Sequence, residues 1–79
     1  MNDKQFNAIL EIKIESLVAL IMEQQGLSFE DALSFLYTSK LFEKLAIEEL
    51  KLWHLSFYKL YDILKHEHET GKLLLPDFV

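Results

Sequence analysis

Three histidines are the side chains of this sequence best suited to binding a metal ion: His54, His66 and His68. Zinc requires three or four converging ligands, but His66 and His68 are two residues apart, about 200° around a helix, so they point to different sides. Asp62 and His66 have the i, i+4 spacing that places two ligands on one helix face, and Glu69 follows three residues later. A solvated polar face near a helix C-terminus, where histidine suits the helix dipole, explains the same residues. We favour this second interpretation and predict no metal site.

Ser56 is the residue to consider for nucleophilic catalysis, because His54 lies two residues before it and Asp62 six residues after it. A serine nucleophile also needs donors for the oxyanion, and no glycine-rich turn lies beside Ser56. Serine is a preferred residue at the start of a helix, which explains Ser56 more simply. The sequence therefore predicts no catalytic residues and no cofactor, and we expect the protein not to be an enzyme.

The composition argues against several other functions. Because the 79-residue chain contains no cysteine, it has neither a disulfide framework nor thiolate ligands. Its formal net charge is −5 and its basic residues are all lysine, which counts against base-specific binding of nucleic acids. Residues 28–45 could form a helix-turn-helix. Its second helix would then present Lys40 and Lys44 to the DNA beside the acidic Glu43, which is unfavourable for binding. We expect neither a nucleic acid nor a membrane as partner, and we expect a cytoplasmic location because no secretion signal is visible.

The first predicted helix covers residues 3–25. Its apolar residues recur at intervals of four, three and four, which places them on one helix face. These residues are Leu10, Ile14, Leu17 and Ile21. Asp3 is predicted to cap the start of this helix, and Gly26 is predicted to adopt the left-handed conformation after its last turn.

Two shorter helices are predicted next. The second helix opens at Ser28, which forms a capping-box pattern with Asp31, and Thr38 and Ser39 favour its end or a bend. Its predicted inward-facing residues are Phe29, Leu33, Leu36 and Tyr37. The third helix covers residues 40–46, and its predicted inward-facing residues are Leu41, Phe42 and Leu45.

The remaining sequence predicts one further helix and a tail. Residues 47–55 fit a continued helix, a surface connection or a brief extended stretch. The final helix starts at Ser56 and ends near Thr70, before Gly71. Residues 73–79 are apolar, and Pro76 interrupts any helix there. Together these segments predict an all-α fold: a small three- to four-helix bundle with an apolar non-helical C-terminal tail, forming one domain over residues 1–79.

Three stretches of this sequence resemble a group of small, stand-alone bacterial all-helical domains of unknown function. The stretches are LYTSKLFEKL at residues 36–45, LWHLS at residues 52–56 and LYDILKHE at residues 60–67. The resemblance covers roughly residues 10–72. It implies a helical fold and a bacterial source but no established activity. Some proteins of this group lie near toxin-like or mobile-element genes, which suggests a toxin-neutralising or nucleic-acid-associated regulator as an alternative function.

The chain contains more apolar residues than one small core needs, since 51% of its residues are hydrophobic. A symmetric partner commonly covers such a surplus, so we predict a homodimer that offers an apolar helical surface to another bacterial protein. We expect most aromatic rings to pack in the core rather than to line a ligand pocket, with Phe35 and Tyr58 exposed. The predicted partner interface consists of Ile9, Ile12, Leu20, Phe35, Tyr58, Leu73, Leu75 and Phe78.

Overall fold

The computed structural model describes residues 2–75, and within them the chain forms helices and no β-strand. The helices are α1 (Asp3–Gln25), α2 (Phe29–Tyr37), α3 (Lys40–Leu45) and α4 (Phe57–Thr70). Two short 3₁₀ turns, Glu48–Leu50 and Leu52–His54, connect α3 to α4. The predicted all-α fold is confirmed.

The longest helix, α1, has 23 residues and spans nearly the longest dimension of the molecule, 35 Å. It begins with a capping box, in which Asn2 Oδ1 accepts a hydrogen bond from the Gln5 amide at 2.8 Å and the Gln5 side chain accepts one from the Asn2 amide. The prediction that Asp3 caps this helix is wrong, because Asp3 is already its first helical residue. Gly26 ends it with φ 67°, as predicted. None of the helices in the described part of the chain has the length and apolar character needed to cross a membrane.

The break between α2 and α3 lies where the sequence predicts it. Ser28 caps α2, since its hydroxyl accepts a hydrogen bond from the Asp31 amide at 3.2 Å. Ser39 caps α3 by accepting from the Phe42 amide at 3.1 Å, while its own hydroxyl donates to the Leu36 carbonyl of α2. One buried serine therefore ends one helix and starts the next.

The ambiguous stretch, residues 47–55, is a compact connection. Its two 3₁₀ turns meet at Lys51, which has φ 58° and is the one non-glycine residue in the described chain with a left-handed backbone. Trp53 is buried and its indole nitrogen donates to the Glu48 carbonyl at 3.0 Å, which holds the two turns together. The extended alternative for this stretch is wrong, because these side-chain and backbone bonds favour turns.

The core forms around α1, which packs against α2 on one side and α4 on the other. Helix α3 contacts both α2 and α4, and the connection covers the N-terminal part of α1 through an edge-to-face contact of Phe6 with Trp53. At the other end of α1, the Gln25 side chain donates to the Tyr61 hydroxyl at 2.6 Å. The buried apolar residues are Phe6, Leu17, Val18, Leu20, Ile21, Ala32, Leu36, Leu41, Leu45, Leu52, Trp53, Leu60, Tyr61, Ile63 and Leu64.

A carboxylate of α4 holds the start of α3 in place. The two oxygens of Glu67 accept hydrogen bonds from the backbone amides of Lys40 at 2.7 Å and Leu41 at 3.0 Å. These amides belong to the first turn of a helix, where a negative charge is favourable. With six residues α3 is too short to be stable by itself, so its position depends on this bond and on its buried leucines.

We predict that Glu67→Ala lowers the free energy of unfolding by about 1–2 kcal/mol, since it removes a charged acceptor from two backbone amides of a partly buried site. Glu67→Gln should retain part of this stability, because an amide oxygen still accepts one bond. The control is Glu69→Ala, an exposed residue of the same helix, which should change stability by less than about 0.5 kcal/mol. Urea denaturation followed by circular dichroism measures all three, and equal effects of Glu67→Ala and Glu69→Ala would contradict the role of Glu67.

Candidate binding groove

The residues considered for metal binding are not brought together. Within residues 2–75, no three histidine, aspartate or glutamate side chains form a group that could hold a metal ion. His68 packs against Phe35 of α2 with the ring centres 4.5 Å apart, and His54 stacks on Trp53 at 3.9 Å. His68 therefore packs between two helices, whereas His54 stacks within its own turn.

The serines near carboxylates and histidines have structural bonds. Ser56 caps α4, since its hydroxyl accepts from the Lys59 amide at 3.2 Å, and this confirms the capping interpretation. Ser39, Glu67 and His68 surround a small polar depression of about 220 Å³. The Ser39 hydroxyl bonds to α2 and α3, and both Glu67 oxygens accept hydrogen bonds from backbone amides, so both groups have structural partners.

The helix that would read DNA in the helix-turn-helix interpretation also has contacts within the chain. Its second helix would be α3, which has only six residues and already has the Glu67 carboxylate at its N-terminus, where a phosphate would otherwise bind. The Lys40 ammonium donates to the Gly71 carbonyl at 3.4 Å and thus faces the end of α4. The start of α3 and the Lys40 side chain are therefore engaged in contacts with α4 and its C-terminal end.

Some of the residues predicted for a partner interface are buried or half-buried in the structure, and others are exposed. The prediction that Leu20 belongs to the partner interface is wrong. Leu20 is only 7% exposed, because α4 covers this side of α1, outside the predicted stripe. Ile9, Phe35 and Leu73 are half-buried and pack against the chain's own core, so Phe35 is not the exposed aromatic that the sequence predicts. These four residues supply little of the apolar surface that a partner would cover.

The other predicted interface residues remain on the surface. Ile12 and Tyr58 are each 63% exposed, and Leu75 is also exposed. Phe78 lies outside the described residues. Ile12 is on the outer side of α1, whereas Tyr58 is in the first turn of α4 and stacks on the neighbouring Phe57.

The larger correction concerns the orientation of α2. Phe29 and Tyr37 are predicted to face inward, but they are 57% and 48% exposed, while Ala32 and Leu36 are fully buried. Six of the nine residues of α2 are apolar, and one helix contact buries a narrower stripe than that. Because Phe35 packs against α4 on the opposite side, the helix is rotated so that Phe29 and Tyr37 lie at the surface.

Phe29, Leu33 and Tyr37 form one wall of an open groove between α2 and α1, with a volume of about 430 Å³. The groove is lined by Asn7, Leu10, Glu11, Ile14, Glu15, Val18, Ala19 and Met22 of α1 and by Phe29, Leu33 and Tyr37 of α2. Most of its lining side chains are apolar, and its charged side chains, Glu11 and Glu15, belong to α1. We call this surface the α1–α2 groove. The high apolar content of α2 is the sequence signal that points to it.

The polar groups of the groove are acidic or neutral. Asn7, Glu11, Glu15 and the phenol of Tyr37 line it, and no lysine does so. In addition, every buried side-chain nitrogen or oxygen in the described part of the chain has a hydrogen-bond partner. The groove therefore offers a ligand a largely apolar lining with two carboxylates and no cation.

A comparison of the chain with models of protein families, with curated proteins and with solved structures finds no match. The resemblance of its motifs to small bacterial helical domains therefore does not indicate an activity for this chain. A functional proposal must therefore rest on the chemistry of the surface itself, where the α1–α2 groove is a largely apolar depression with exposed aromatic side chains.

We predict that Phe29→Ala changes the free energy of unfolding by less than about 1 kcal/mol, because the ring is largely outside the core. The matched control, Phe6→Ala, should cost about 3–5 kcal/mol, because Phe6 is buried against Trp53. Thermal or urea denaturation measures both variants. A large loss of stability in Phe29→Ala would show that this ring belongs to the core and that the groove is closed.

Proposed function

We propose that this chain is a non-enzymatic protein–protein interaction module, whose α1–α2 groove binds the apolar face of a helix from a partner protein. The observation that carries the proposal is the exposure of Phe29 and Tyr37 beside the apolar side of α1. Aromatic side chains are common anchors of protein interfaces, and contiguous apolar surface on a small domain typically marks an interaction site.

The shape of the groove favours a helix as the occupant. Its α1 wall extends from Asn7 to Met22, about 22 Å at the rise of an α-helix. Its α2 wall extends from Phe29 to Tyr37, about 12 Å. A helix of about four turns placed between them would form a third layer on two existing helices. A small polar ligand would instead need convergent hydrogen-bonding groups, which the interior of this groove does not supply.

The predicted homodimer stays a prediction. A symmetric contact through the α1–α2 groove would bring Glu11 and Glu15 of both copies to the same interface, which is electrostatically unfavourable. Any dimer contact is therefore more favourable at Ile12 and Tyr58, outside the groove.

The regulator alternative and the cytoplasmic location also stay predictions. Neutralisation of a toxin would be one case of helix binding, whereas nucleic-acid binding would need a basic surface.

An uncharged amphipathic peptide tests the proposal. It has about 15 residues, leucines on one helix face and glutamines elsewhere, so that only its apolar face can provide affinity. We expect it to bind with a measurable Kd and to shift the amide resonances of α1 and α2 that line the groove, because apolar burial drives the contact. The measurement is a titration of the isotope-labelled protein by NMR.

Two aromatic variants provide the matched controls. Phe29→Ala should weaken binding about tenfold, since it removes an anchor from the groove. Tyr58→Ala removes an equally exposed ring on another face and should leave the Kd within about twofold. No binding of the peptide, or equal losses in both variants, would contradict the proposed function.

The homodimer prediction is tested separately by sedimentation velocity at micromolar concentration. A dimer through Ile12 and Tyr58 predicts a species of twice the 9.3 kDa chain mass, and Ile12→Lys should reduce it to the monomer. Leu50→Lys introduces the same charge at an exposed leucine that is not among the predicted interface residues; it is the control and should leave the dimer intact. A single 9.3 kDa species for the unmodified chain would contradict the homodimer prediction and would not affect the proposal for the groove.

A further inference from the structure

We propose that the helix bound by the α1–α2 groove is basic, with lysine or arginine residues flanking its apolar face. This inference rests on the proposed function, because it specifies the partner of the same groove. Its basis is the arrangement of charge along the groove.

Glu11 and Glu15 form an unfavourable pair on α1. They are four residues apart, both are exposed, and both line the groove. Like charges at this spacing repel each other on a helix surface. The positions three and four residues away that could compensate them hold neutral side chains: Asn7, Ala8, Ile12, Ile14, Val18 and Ala19. A cation from a partner would therefore relieve a repulsion that the free chain retains.

An acidic residue of α2 lies beside the groove, although it is not one of the residues that line it. Glu30 is exposed and lies three residues before Leu33 and seven before Tyr37, which places it on the groove side of α2 by helical spacing. The nearest cation on the groove side of α1 is Lys4, which precedes Asn7 by about one turn and lies beyond the residues that line the groove. An occupant thus meets a largely apolar lining that carries the carboxylates of Glu11 and Glu15 on α1, with Glu30 just beyond the lining on α2.

Other occupants fit this charge pattern less well. A second copy of the chain brings the same glutamates to the contact, and the net charge of the chain is −5. Nucleic acids and anionic lipid surfaces are also repelled by a carboxylate-edged groove. A basic amphipathic helix combines an apolar face for the lining with cations for Glu11 and Glu15.

Three peptides with the same leucine face and with lysine, glutamine or glutamate flanks test the inference. We expect the lysine peptide to bind at least about tenfold tighter than the glutamate peptide, with the glutamine peptide between them. The advantage of the lysine peptide should shrink with added salt, because exposed charges are screened. Isothermal titration calorimetry gives the three Kd values, and NMR shifts in α1 and α2 show whether each peptide occupies the groove.

Charge-removing variants identify the source of the preference. Glu11→Gln/Glu15→Gln should reduce the advantage of lysine over glutamate flanks to about threefold. Glu23→Gln/Glu69→Gln changes the net charge equally at exposed sites outside the groove and should keep the preference near that of the unmodified chain. Circular dichroism confirms that both variants are folded.

The outcomes separate this inference from the proposed function. If the glutamine peptide binds in the groove and lysine and glutamate flanks give equal affinity, the inference of a basic partner helix is overturned. The proposed function would still hold. A preference that both double variants lose equally would also overturn it, since net charge and not Glu11 and Glu15 would then be responsible. Absence of binding by all three peptides would contradict the proposed function itself.

Discussion

The rotation of α2 about its own axis is the constraint on which the exposed surface of this protein depends. Ala32 and Leu36 face the core, and Phe35 on the adjacent side packs against His68 of α4. The end of α2 is fixed by Ser39, which joins it to α3, and Glu67 of α4 holds the start of α3. Two neighbouring residues of α4 thus set the orientation of α2, and the remaining apolar residues of α2 are left beside α1 at the surface.

This arrangement links stability to binding. The small side chain of Ala32 is fully buried in the contact of α2, while the large side chains at positions 29 and 37 remain at its edge. An apolar surface of this kind costs free energy in water and gains it when a partner covers it. Under our proposal, Glu11 and Glu15 limit which partners can do so, because an apolar surface alone would accept many. In the proposed function, the packing inside the molecule creates the binding site and the charges beside it provide selectivity.

The sequence predicts those parts of the structure that local interactions determine. Ser28, Ser39 and Ser56 each bond to an amide three residues later, and Gly26 has a backbone conformation that glycine adopts at low cost, so helix boundaries are predictable from spacing and residue type. The orientation of helices is different, because it depends on contacts between residues far apart in the chain. Leu20 and Ile12 both lie outside the predicted stripe of α1, yet α4 covers only Leu20. The groove was missed for the same reason, since the position of Phe35 against α4 is not encoded within α2.

The most direct test of an open α1–α2 groove that binds a helix is hydroxyl-radical footprinting of the three tyrosines, with and without a bound amphipathic peptide. In the free chain, Tyr37 and Tyr58 should be oxidised readily and Tyr61 should be protected, because they are 48%, 63% and 8% exposed. On peptide binding, the oxidation of Tyr37 should fall while that of Tyr58 remains unchanged. Protection of Tyr37 in the free monomer to the level of Tyr61, or a bound peptide that protects Tyr58 and not Tyr37, would contradict this account.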